Sequence, residues 1–228
     1  MRLCLLLALL WTPQASTPTV SGKVSAPEGA AQKRLRAKLY GNEAVAGRKD
    51  PDPTLAVVWL EGVAAPPKVD PRTAAIRQEG LEFRPRAVAV TVGSKVDFPN
   101  EDDLFHNVFS FGKGYRIELG SYPKGESKSV TFEKKGLIDV RCDVHKHMRA
   151  YVHVFDHPYF AVAAPDGSYS IPNVPPGKYT LVAWKEFFDP VRQDVEVKAD
   201  GAKVDVTLSA LLNRPADRTV GAACCDAR

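Results

Sequence analysis

The sequence predicts an all-β protein made of two sandwiches, and three observations point there. Apolar and polar residues alternate with period two in several short runs, such as Val88-Val90-Val92, Val130-Phe132 and Ile138-Val140-Cys142. Turn formers recur between these runs, at Gly93, Pro99-Asn100, Lys135-Gly136, Asp166-Gly167 and Pro175-Pro176-Gly177. One stretch, Ala30 to Tyr40, reads as a short helix stopped by Gly41. With 228 residues the chain has room for one large or two modest β domains, and an apolar content of 44% is enough for a buried core.

Taken in order, residues 1–16 read as an export signal. Arg2 gives the positive start, Leu3 to Trp11 form an unbroken apolar stretch, and small residues follow at Ala15, Ser16 and Thr17. That stretch is far shorter than the roughly 20 residues a membrane helix needs, and no later run approaches that length. The expectation is therefore a periplasmic or secreted protein without an integral membrane segment. Val20 to Ser25 reads as a strand ending before Pro27, and Leu55 to Leu60 as a buried strand ended by Glu61-Gly62. These N-terminal strands fall within 17–66, and a Pro-rich linker from Ala64 to Pro71 follows them.

From residue 72 the alternation is clear. Val88, Val90 and Val92 share one face, Val96 and Phe98 follow Gly93, and Pro99-Asn100 with Glu101-Asp102-Asp103 makes a turn. His106 then opens an apolar stretch that runs to Phe111. After Lys135-Gly136 the strand Leu137 to Cys142 sends Ile138, Val140 and Cys142 to one face, and Asp139, Arg141 and Asp143 to the other. Cys142 is thus expected to point into a core, and Tyr151 to Phe155 restarts as a strand.

The loop between those strands carries the chemistry. Cys142-Asp143-Val144-His145-Lys146-His147-Met148 offers a thiolate, imidazoles and a thioether within one short segment, and His106-Asn107 stands upstream. One Cys, two His and a distant Met are the donor set of a blue copper site. Each residue alone has a plainer reading: Cys142 as a core thiol, Met148 as a core filler, His145 and His147 as loop residues, His106 as a strand histidine. It is their conjunction that points to metal. His147 is an alternative extra ligand, whereas His153 and His157 read as structural. Removal of the signal takes Cys4 and leaves Cys142, Cys224 and Cys225, an odd count that does not suit a disulfide framework.

Here the sequence resembles the cupredoxins. Val96-Asp97-Phe98-Pro99-Asn100, the acidic turn and His106-Asn107-Val108 are similar to the plastocyanin-type segment that ends in the first histidine ligand. The Cys142, His145 and Met148 spacing is similar to that of amicyanin. The resemblance covers residues 72–156 and implies a Greek-key β-sandwich with a single type-1 copper held by His106, Cys142, His145 and Met148. It also implies that Asn107 ties the His106 strand to the cysteine loop. Proline residues usual in such loops are replaced by Val144 and Lys146, and the apolar collar by Lys146, His147 and Arg149, which together imply a basic docking surface. Partners implied are redox proteins such as a cytochrome or dehydrogenase with an acidic surface. The arrangement also resembles exported bacterial proteins described as plastocyanin-like or as serving methylamine utilisation.

Residues 158–210 have another character. Asp166-Gly167-Ser168-Tyr169-Ser170-Ile171 and Val174-Pro175-Pro176-Gly177-Lys178-Tyr179-Thr180-Leu181 resemble the carboxypeptidase regulatory-like, transthyretin-type sandwich, with Asp-Gly as its hairpin turn. That family opens with strands like Val20 to Val24 and Ala56 to Leu60, so the copper segment is expected to be inserted into this second sandwich. Residues 211–228 read as a disordered tail.

Composition narrows the function further. A formal charge of +4 is too small to suggest nucleic acid, and the run Lys33-Arg34-Arg36-Lys38 has no aromatic-rich groove beside it. No Ser-His-Asp order, phosphate loop or haem-attachment motif stands out. The reading is a non-enzymatic electron carrier. A copper delivery or storage protein and a metal-free β-sandwich binding module are the alternatives.

Overall fold

The computed structural model describes residues 17–26, 56–63, 69–112 and 115–209. The expected export signal, the helix at Ala30–Tyr40 and the tail lie outside the described residues. Within them the protein is all-β. Its strands are β1 (Val20–Ser25), β2 (Val57–Glu61), β3 (Thr73–Ala75), β4 (Arg77–Gln78), β5 (Phe83–Arg84) and β6 (Ala87–Thr91). Next come β7 (Ser94–Pro99), β8 (His106–Ser110), β9 (Ile117–Tyr122), β10 (Ser127–Phe132), β11 (Gly136–Arg141) and β12 (Arg149–Phe155). The last six are β13 (Phe160–Val162), β14 (Ser168–Ile171), β15 (Gly177–Trp184), β16 (Val191–Val197), β17 (Ala202–Lys203) and β18 (Val206–Thr207).

Two sheets enclose the first core. One runs β6-β12-β11-β8-β9 and the other β10-β7-β3, with the small ribbon β4-β5 beside them. Their inward residues include Val88, Val90, Val96, Phe98, Val108, Phe132, Ile138, Val140, Val152 and Val154, all buried. The alternation in the sequence is the cause: each strand sends every second side chain inward, and a fully buried Val, Ile or Phe stabilises by about 1.5–3 kcal/mol.

A second core lies between the sheet β14-β1-β17, extended by β18 against β1, and the sheet β13-β2-β15-β16. β1 pairs antiparallel with β14, Val20 opposite Ile171, and β2 pairs with β15, Leu60 opposite Leu181. Strands that precede the first sandwich in the chain therefore complete a sheet with strands that follow it. The hairpin turn before β14 requires its glycine: Gly167 has φ of 86°, and a Cβ there would sit 2.3 Å from the Val24 carbonyl oxygen.

The two sandwiches meet back to back. On β12, Ala150, Val152 and Val154 face the first core, while Tyr151 and Phe155 face a third cluster with Val57, Trp59, Val182 and Trp184. β2 and β15 divide their side chains in the same way between the second core and this interface. Strands covered on both faces lose the alternating pattern and read as continuous apolar runs, as Ala56 to Leu60 and Leu181 to Trp184 do. At the edge of the interface Arg86 pairs with Glu186 at 2.6 Å, and the Tyr151 hydroxyl donates to Glu186 Oε1 at 2.9 Å.

Candidate metal centre

The site forms at one end of the first sandwich, where β8 begins and β11 ends. Cys142 follows the last residue of β11, and period two keeps it on the inward face with Ile138 and Val140; it is 2% exposed. His106 is the first residue of β8, opposite Tyr122 of β9, and is fully buried. The loop after Cys142 closes on itself. The Met148 N–H donates to the His145 carbonyl at 2.8 Å, and the Cys142 N–H to the Met148 carbonyl at 3.3 Å. This brings His145 back over the core, where it stays partly exposed, and sends Met148 into the same core as Cys142.

Three donor atoms converge. His106 Nδ1 lies 3.0 Å from His145 Nδ1 and 4.0 Å from Cys142 Sγ, and all three donors fall within 4.8 Å of one another. Two donors can share an ion only when their separation is no more than the sum of their bonds to it. For a first-row metal these are about 2.0 Å to nitrogen and about 2.3 Å to sulfur. Both His106 distances satisfy that limit, so His106 can share one copper-sized ion with either of the other two donors. Thiol, imidazole and thioether donors also match the ligand preference of copper.

His106 is held in the tautomer a metal needs. Its Nε2 lies 2.8 Å from Asp102 Oδ2. Burial works against the charge on Asp102, but hydrogen bonds from the Leu81 N–H, His106 and the Gly80 N–H outweigh it and keep the carboxyl below its usual range. An ionised carboxylate only accepts, so Nε2 carries the proton and Nδ1 presents its lone pair to Cys142 and His145. Burial first, then the neighbours His106 and His147, lower the pKa of His145, while Asp102 opposes them.

The other residues singled out in the sequence take different places. Asn107 Oδ1 accepts from the Asp143 N–H at 2.7 Å, linking β8 to the cysteine loop. His147 points away from the cluster, its Nε2 3.0 Å from the Leu81 carbonyl oxygen. Arg149 is engaged by Asp139, which it shares with Arg141, so Lys146 is the exposed cation of the loop. Apolar side chains flank both histidines instead: Leu104 and Phe105 before His106, and Val144 before His145, each at least half exposed. The collar that the sequence suggested had been replaced by charges is thus partly apolar.

Sequence reasoning missed Asp102, Gly80 and Leu81. The one available signal was an acidic residue four positions before a candidate ligand, read there only as part of a turn. It also missed the buried layer beside Cys142. There Gln78 Nε2 donates to the Tyr122 hydroxyl at 2.7 Å, and that hydroxyl donates to the Phe98 carbonyl at 2.8 Å.

Residues 72–155 match the family model for copper binding proteins of the plastocyanin/azurin family, which places a cupredoxin-like domain over the segment holding the cluster. Residues 144–205 match the model for domain II of polysaccharide lyase family 4. This second match supports a further β domain, under a different family description from the transthyretin-type resemblance in the sequence. Similar solved structures include the amicyanin of Paracoccus versutus, at 26% identity over 36% of this chain and 80% of that one, with a TM-score of 0.34. An amicyanin variant in the Cu(I) state gives 22% identity, 36% and 81% coverage and a TM-score of 0.34. The copper-containing nitrite reductase of Thermus scotoductus SA-01 gives 26% identity, 41% and 25% coverage and a TM-score of 0.35. No curated protein matches the chain.

Proposed function

We propose that this protein is an exported carrier of single electrons in which His106, Cys142, His145 and Met148 hold one type-1 copper ion. The observation that carries the reading is the convergence of two imidazole Nδ1 atoms and one thiol Sγ within 4.8 Å at a mostly buried site. Copper bound there would supply a one-electron couple between Cu(II) and Cu(I), which this donor set suits in both states.

The residues divide the remaining work. Cys142 must give up its proton to ligate, and its burial shields the thiolate from solvent oxidants. Asp102 fixes the His106 ring, and Asn107 holds the loop that carries His145. His145 is the partly exposed member, so its ring edge is the route by which an electron enters or leaves. Leu104, Phe105 and Val144, exposed and next in the chain to the two histidines, suit a close apolar contact, and Lys146 adds attraction for a partner with an acidic rim, such as a cytochrome or dehydrogenase. Four protein donors around one ion leave no position for substrate, which supports a carrier over an enzyme.

The strand pairings support a chain organised as a copper domain, 72–156, inserted between 17–66 and 158–210, which together make the second sandwich. Cu(II) added to the exported form should give an intense visible thiolate-to-copper band that bleaches with reductant and returns with oxidant. A colourless mixture would overturn the copper reading. Rapid loss of copper to a chelator, faster than redox cycling, would replace the carrier with a delivery protein.

A further inference from the structure

We infer that the turn at Gly80-Leu81 is a clamp that positions both histidines of the site, with Asp102 as one arm and His147 as the other. The inference rests on the proposed copper reading for its purpose, though not for its geometry.

One residue, Leu81, is used from both ends. Its N–H donates to Asp102 Oδ2 at 2.9 Å, and the preceding Gly80 N–H donates to Asp102 Oδ1 at 2.6 Å. Asp102 in turn holds His106 Nε2 at 2.8 Å. The carbonyl of Leu81 accepts from His147 Nε2 at 3.0 Å. The turn therefore reaches His106 through a carboxylate, and it reaches the loop bearing His145 through an imidazole two residues further on.

The backbone there is shaped for this. Gly80 has φ of 66° and Leu81 of 60°, two consecutive residues in the left-handed region. Successive N–H groups in such a turn form a concavity that takes an anionic oxygen pair. Glycine adopts the conformation freely, but leucine does so at about 1–2 kcal/mol. A strained non-glycine residue persists where its surroundings over-determine it. Here the carboxylate, the His147 ring and the Glu79 N–H bond to the Glu82 carbonyl, at 3.0 Å, do so.

The loop needs such a strut. Among the described hydrogen bonds, its side chains between Asp143 and Met148 make two: His145 to His106, and His147 to Leu81. The first involves ligand atoms and is surrendered when metal binds. The second remains, so His147 is the loop's own side chain that ties it down in both forms, alongside the bond from the Asp143 N–H to Asn107 Oδ1. With Nε2 donating to a carbonyl, His147 is a positioning residue and lies outside the donor cluster.

The test uses the full exported chain with His147→Phe, which keeps the ring and removes the hydrogen bond, and His147→Gln, whose amide can donate again. In the metal-free protein, amide hydrogen exchange of Val144 to His147 should rise about tenfold in His147→Phe, and that of Gly80 and Leu81 should rise with it. In the copper-loaded protein, release of copper to a chelator should quicken about tenfold, a size typical of lost outer partners of metal ligands. His147→Gln should recover most of both effects. Combined with Asp102→Asn, His147→Phe should add less than its separate factor, because both arms act through one turn. Wild-type exchange at Gly80 and Leu81 in His147→Phe, or full multiplication of the two factors, would overturn the clamp. Exchange is read without copper, so a failure of the copper reading leaves this arm of the test intact and separately decided.

Discussion

His106 and His153 are both buried in the first sandwich, at 0% and 3% exposure, yet their surroundings make them different chemical objects. His106 has a carboxylate on one nitrogen and a second imidazole and a thiol at the other. His153 faces the interface between sandwiches. Its ring lies 4.5 Å from Trp184, 5.9 Å from Trp59 and 6.1 Å from Phe155, and its Nε2 has no hydrogen-bond partner. Burial alone drives its pKa down to about 3. Depth does not make a histidine a ligand. Of the two, His106 alone has a partner that fixes its tautomer and a second donor placed to share an ion.

The largest expected effect separates the two directly. His106→Ala should abolish stoichiometric copper binding and the visible band. His153→Phe should load copper with an unchanged spectrum. Loss of copper binding in both would mean that the site depends on the interface and not on its own donors.

A smaller effect concerns acid stability. The native pKa of His153 lies below its unfolded value of about 6.5, so between the two the unfolded chain binds the extra proton. The stability contributed by the neutral ring is fully present above about pH 6.5 and falls as pH drops toward 3. His145 and His157 are also lowered, chiefly by burial, and share the slope in the metal-free protein. Denaturant unfolding of the metal-free protein at pH 7 and pH 4.5 should therefore show a loss in wild type that is roughly 2–3 kcal/mol larger than in His153→Phe. Equal losses would remove His153 as a source of the slope.

The smallest effect is at the rim of the same interface. Glu186→Gln weakens the pairing with Arg86, and both side chains keep some contact with water, at 14% and 15% exposure. The cost should be about 1–2 kcal/mol of unfolding free energy, with the copper spectrum unchanged. A shifted spectrum would show the interface coupled to the metal site.

The same contrast explains what could be read from the chain. Cys142 was legible because Ile138, Val140 and Cys142 obey period two, and their face is one the fold buries. The second sandwich was legible from Asp166-Gly167 and the alternation after it. The interface was not, because a strand buried on both faces, as β12 is, carries no alternation to say what covers each side. Asp102 was hidden for another reason: its contact with His106 depends on how the acidic turn folds back onto β8, which residue types do not encode. The Gly80-Leu81 turn has no hydrophobic signal at all, and its role appears only once Asp102 and His147 are placed on either side of it. Strand ends moved by a residue or two, with Leu55–Leu60 becoming Val57–Glu61.

On the proposed copper reading, the sulfur of Cys142 is the donor that would make the site coloured and redox-active, and it can be tested alone. Equimolar Cu(II) added to the wild-type chain and to Cys142→Ser should give an intense visible charge-transfer band in the first and none in the second, with both proteins folded. A wild type without the band, or a Cys142→Ser protein that retains it, would contradict the account.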